Sequence, residues 1–174
     1  MNELIKLDRK LYHTNDLAIL WGISNKNTLY TTIKRYIKRG ILIPVFKGLY
    51  STVPISQLDP LSLGQAIIHN KAYFSTESVL FEAGVITQQT YMYTFVSTIS
   101  KQVTVNGMTF LYRKMKDDYL NNPVGVEPKD GYFAATVERA MADMLYFNPS
   151  YHFDMVDVID WEKVHNIQAK VGYK

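Results

Sequence analysis

The 174-residue chain is 47% hydrophobic and 20% charged, with a net charge of +3; it is long enough for one sizeable core or two small ones. It has no cysteine, which excludes disulfides and thiol catalysis and fits a reducing compartment. There is no apolar run of the ~18 residues a membrane span needs and no basic–apolar–small order of a signal peptide, so a cytoplasmic location is expected.

Charge is not spread evenly. Residues 1–53 hold nine Lys/Arg against three Asp/Glu, and residues 54–174 hold ten against thirteen. A basic module followed by a mildly acidic one suggests that the first faces a polyanion and the second has other work.

Taken in order, Leu4, Ile5, Leu7 and Leu11 among Lys6, Arg9 and Lys10 predict a first helix over 1–11. His13–Gly22 predicts a short helix with Thr14 or Asn15 as its cap, closed onto a core by Trp21 and Ile23. After a turn at Gly22 to Asn25 comes the stretch with the clearest period, Asn27–Arg39. Leu29, Ile33, Tyr36 and Ile37 recur at helical spacing on one face. Asn27, Thr31, Lys34, Arg35 and Lys38 fall on the other, with Thr28 at its edge. Gly40 is placed to end the helix in the left-handed conformation. Ile41–Tyr50 predicts two short strands turning near Lys47-Gly48.

Helix, turn, longer helix and small hairpin is the order of a winged helix-turn-helix, whose second helix enters the DNA major groove with its N-terminal residues at base edges. Residues 1–53 are therefore expected to form such a domain. Asn27, Thr28 and Thr31 are the candidate base readers, and Lys26, Lys34, Arg35, Lys38 and Lys47 the candidate phosphate contacts. Tyr30, between the two faces, suits either stacking on a base or covering a phosphate; Tyr36 belongs to the core. The plainer alternative is a basic face that is only solvated.

Ser51–Gln57 reads as a linker, and residues 58–174 as a small α+β domain. Asp59-Pro60 starts a helix to about Asn70, with Asp as cap and Pro in the first turn. Ser75 is a candidate cap for a helix over Thr76–Ala83, with Glu77 in a capping role. Tyr91–Ser97 is rich in β-formers. Asn106-Gly107 between Lys101–Val105 and Met108–Tyr112 is a strong hairpin signal, since both residues accept the positive φ of a type I′ turn. Val124–Phe133 reads as irregular with a short strand near its end, Thr136 as the cap of a helix over Val137–Phe147, and Asp160–Lys170 as a last helix.

Nothing in the second half assembles an active site. Arg139 and Asp143, four apart, read as an ordinary surface ion pair. His13, His69, His152 and His165 are scattered without zinc-ligand spacing. Ser75 and Ser78 have no base nearby in sequence. The reading is of a protein that is not an enzyme and takes no cofactor or metal.

Four short patterns point further. IKRYIKRGILIPVFKGLYS (33–51), DPLSLGQAI (59–67), AYFSTESVLFEAGVI (72–86) and TVERAMADML (136–145) resemble, in the same order, the blocks of the AbiEi-type antitoxins of bacterial type IV toxin–antitoxin systems. The likeness covers roughly residues 12–147. It implies an N-terminal winged helix binding double-stranded DNA at repeats in its own promoter, and a functional link to a nucleotidyltransferase-like toxin countered without a tight complex. Two departures stand out: Ser75-Thr76-Glu77 where the family has a histidine version, and Ala135-Thr136-Val137 where it has a proline. The alternatives are a winged-helix module that binds a protein and not DNA, and an enzyme in the second domain. The oligomeric state is left open, since a dimer and adjacent monomers both suit repeated sites.

Overall fold

The structure, a computed structural model, describes Leu4, residues 9–69 and residues 71–173. It is a mixed α+β protein that divides into two compact units between Ile67 and Ile68. No helix among the described residues is long and apolar enough to cross a membrane.

The first unit opens with strand β1 (Leu11–His13), then helices α1 (Thr14–Trp21) and α2 (Lys26–Lys38), strands β2 (Ile43–Phe46) and β3 (Leu49–Ser51), and helix α3 (Pro60–Ile67). The three strands form one antiparallel sheet in the order β1-β3-β2. Pro44, which has no N–H to give, lies on the edge strand, where none is needed. Leu4, Tyr12, Leu17, Leu29, Ile33 and Leu42 form the core, with Trp21, Ile23, Tyr36 and Ile37 packed against it.

Three expectations change here. Leu11 is in a strand and not at the end of a helix, because it pairs with Ser51 in the sheet; most of the helix expected over 1–11 falls outside the described residues. The cap of α1 is His13, one residue earlier than expected, with the Asp16 carboxylate accepting the His13 amide at 2.9 Å. The helix capped by Asp59, whose Oδ2 accepts the Ser62 amide at 2.7 Å, precedes the division between the units and so groups with the first.

The second unit holds β4 (Ala72–Phe74), α4 (Glu77–Glu82), β5 (Met92–Ser97), β6 (Lys101–Val105), β7 (Met108–Lys114), α5 (Asp117–Leu120), β8 (Val126–Pro128), β9 (Phe133–Ala135), α6 (Val137–Phe147) and α7 (Trp161–Val171). Its six-stranded sheet runs β6-β7-β5-β4-β9-β8, with β4–β9 and β5–β7 parallel and the other pairs antiparallel. The segment before Thr136, expected to be irregular with one short strand near its end, supplies that strand as β9 and a second, β8, paired with it. The β6–β7 hairpin turns at Asn106 and Gly107 with φ of 50° and 80°, as an Asn-Gly type I′ turn requires.

Side chains alternate across the sheet. Phe74, Phe95, Phe110 and Tyr112 are buried on one face, with rings 5.5–5.6 Å apart for Phe74–Phe95 and Phe95–Tyr112. Tyr73, Thr94 and Arg113 project from the other and meet helices α4 and α6. Thr94 Oγ1 accepts the Ser78 amide at 3.1 Å, and Arg113 pairs with Glu77. The link from β4 to α4 is strained: Thr76 has φ 59° and ψ −135°, a conformation that costs a β-branched residue ~1–3 kcal/mol. Ser75 is not the cap of α4, and Glu77 faces Arg113 in place of a capping role.

Beneath α6 lies an ionic cluster that corrects the surface pair expected of Arg139 and Asp143. Both side chains are fully buried. Asp143 accepts from Arg139 Nε at 2.8 Å, Ser75 Oγ at 2.7 Å, Tyr73 Oη at 2.9 Å and from the Tyr173 hydroxyl. Arg139 gives its remaining N–H groups to the carbonyls of Tyr119, Asn122 and Val124 and to the Tyr73 oxygen. All five of its donors are used. Burial works against the charged guanidinium, but the Asp143 carboxylate and the two phenol oxygens outweigh it and hold its pKa above the ordinary value. Gly125 makes room for this arrangement: it sits at φ +72°, and a Cβ there would stand 2.7 Å from Arg139 Cβ.

Candidate nucleic-acid interface

Helix α2 forms where its apolar period allows it to bury one side. Asn25 starts it, its Oδ1 accepting the Thr28 amide at 3.1 Å, and Gly40 follows its end at φ +68°. Leu29 and Ile33 are buried, at 5% and 2% exposure. Tyr36 turns inward, its ring 4.7 Å from that of Trp21. The short α1 ends at Gly22, whose φ of +63° turns the chain toward α2. At the far end, Leu42 N–H reaches back to the Tyr36 carbonyl at 3.4 Å, which ties the start of the hairpin to the helix.

Every residue singled out from the sequence is exposed: Lys26, Asn27, Thr28, Tyr30, Thr31, Lys34, Arg35, Lys38 and Lys47. At about 100° per residue, Asn27, Thr31, Lys34, Arg35 and Lys38 share an arc of about 100°, with Thr28 just beyond it. Tyr30, 50% exposed, flanks the arc on the opposite side from Thr28. Lys26 stands at the first residue of the helix, a full step round from Asn27 and off the arc.

Lys47 belongs to a different element. The hairpin turn at Lys47-Gly48 is held to the start of α1, Thr14 giving both its amide (2.9 Å) and its hydroxyl (3.3 Å) to the Gly48 carbonyl. The turn is therefore short and fixed.

The electrostatics of the face are simple. None of the ion pairs among the described residues involves Lys26, Lys34, Arg35, Lys38 or Lys47. The single acid between residues 9 and 53, Asp16, is matched by Arg9. Arg35 and Lys38 also lie in the last turn of α2, where positive charge complements the helix dipole by ~0.3–1 kcal/mol. That effect accounts for two of the cations but not for Lys34.

Two further exposed cations, Lys10 and Arg39, also form no ion pair among the described residues and are not among the candidates read from the sequence. Arg39 is the residue that caps the end of α2, and continuing the helical arc by one residue reaches it.

The chain matches no protein-family model, and no curated protein matches it significantly.

Proposed function

We propose that the chain is a transcriptional repressor that binds double-stranded DNA in its own promoter and serves as an AbiEi-type antitoxin against a nucleotidyltransferase-like toxin. We read β1, α1, α2 and the β2–β3 hairpin, with sheet order β1-β3-β2, as a winged helix in which α2 is the recognition helix and Lys47-Gly48 the wing. The observation that carries the reading is the exposed arc of α2, polar toward its N-terminus and cationic toward its C-terminus, with no ion pair to an acid among the described residues.

A 13-residue helix is about 20 Å long and fits a major groove ~12 Å wide. Asn27, Thr28 and Thr31 then lie at the end that meets base edges, and Lys34, Arg35 and Lys38 at the end that meets phosphate. An unpaired cation binds phosphate without first giving up a protein partner, and each phosphate it neutralises releases counterions. The antitoxin part rests on the four sequence blocks alone.

A reporter driven by the DNA upstream of the chain's own coding sequence tests this. Supplying the chain is expected to repress the reporter, and the double variant Asn27→Ala, Lys34→Ala to release it. Full reporter output in the presence of the unaltered chain would overturn the proposal.

A further inference from the structure

The two exposed threonines of α2, Thr28 and Thr31, turn their hydroxyl protons inward. Thr31 Oγ1 donates to the Asn27 carbonyl at 2.8 Å. Thr28 Oγ1 donates to Asn25 Oδ1 at 3.3 Å, the same oxygen that accepts the Thr28 amide. A hydroxyl carries a single proton, so neither side chain has one left for an acceptor on a base. With Oγ1 folded back onto the helix, the other heavy substituent of Cβ, the methyl, is the group an exposed threonine presents outward. Both threonines are exposed. In the major groove the apolar feature a base pair offers is the C5 methyl of thymine.

Resting on the DNA-binding reading above, we propose that Thr31, with Thr28 beside it, reads thymine by methyl–methyl contact, so that the ligand class is an operator with A·T pairs at the recognition-helix N-terminus. Asn27 is matched to the same pairs. Its side-chain amide makes no hydrogen bond among the described residues, and an amide forms a bidentate pair with the N6 and N7 atoms of adenine.

The rival chemistry is that Thr31 accepts a hydrogen bond from a base amino group through its lone pairs. Two variants separate these. Thr31→Val keeps the methyl and shape and loses the hydroxyl; Thr31→Ser keeps the hydroxyl and loses the methyl. The probe is the chain's own upstream DNA, prepared once with thymidine and once with deoxyuridine, which differ by the C5 methyl alone.

The unaltered chain and Thr31→Val are expected to prefer the thymidine duplex by about fourfold for each thymine methyl that is read. Thr31→Ser is expected to lose the fourfold share of that preference that the Thr31 methyl contributes. Equal affinity of the unaltered chain for the two duplexes would overturn the inference, as would a preference unchanged in Thr31→Ser, while leaving DNA binding intact. Binding to neither duplex at low salt would overturn the DNA-binding reading itself and this inference with it.

Discussion

Helices α2 and α6 both carry arginine in an amphipathic pattern, and the protein treats them in opposite ways. On α6, Arg139 is at 0% exposure and uses every N–H it has, against a carboxylate that accepts four hydrogen bonds. On α2, Lys34, Arg35 and Lys38 are exposed and form no ion pair among the described residues. A buried charge without partners is strongly destabilising, so α6 must complete its network. An exposed charge is solvated by water and tolerates being unpaired. Charge on α6 therefore serves the structure of the second unit, and charge on α2 is available to a partner.

The contrast is sharpest for Asp143→Ala, which leaves the guanidinium buried and uncompensated. A loss of ~3–5 kcal/mol is expected, measurable in urea titration as the early unfolding of the second unit; a loss under ~1 kcal/mol would mean the cluster is open to water.

The alkaline limb comes next. Burial, reinforced by the Asp143 charge, raises the phenol pKa values of Tyr73 and Tyr173. In the unfolded chain these phenols ionise near pH 10. Their contribution is thus fully present below about pH 10 and is lost as pH rises further, because the unfolded chain releases protons that the folded cluster retains. Stability measured from pH 8 to 12 should fall beyond pH 10, and less steeply in Tyr173→Phe.

Smaller still is Asn25→Ala, which removes the cap of α2 and should lower the stability of the first unit by ~1 kcal/mol; circular dichroism during thermal unfolding reads this.

Arg35→Ala should change stability by no more than ~0.5 kcal/mol, yet weaken binding to all duplexes alike and flatten the plot of log affinity against log salt by ~0.9. A stability loss of several kcal/mol there would erase the distinction between the two helices.

Local signals make α2 legible. Its apolar period, its terminating Gly40 and the Lys47-Gly48 turn are all written in neighbouring residues, as is the Asn106-Gly107 hairpin. Strand β1 is not legible in this way. It is three residues long and exists by pairing Leu11, Tyr12 and His13 with Ser51, Tyr50 and Leu49, so an apolar, basic stretch there reads as helix. The ionic cluster shows the same limit. The four-residue spacing of Arg139 and Asp143 is visible, but their burial depends on Ser75 and Tyr73, 68 and 70 residues from Asp143. Spacing along a helix shows which residues can pair, while the partners that cover the pair come from other strands.

The most direct test is fluorescence anisotropy of the chain with its own upstream duplex and a scrambled duplex, at low and near-physiological salt. The account predicts tight binding that prefers the upstream DNA and weakens steeply with salt. No binding to either duplex at low salt would contradict it, and would leave the exposed face of α2 to a protein partner.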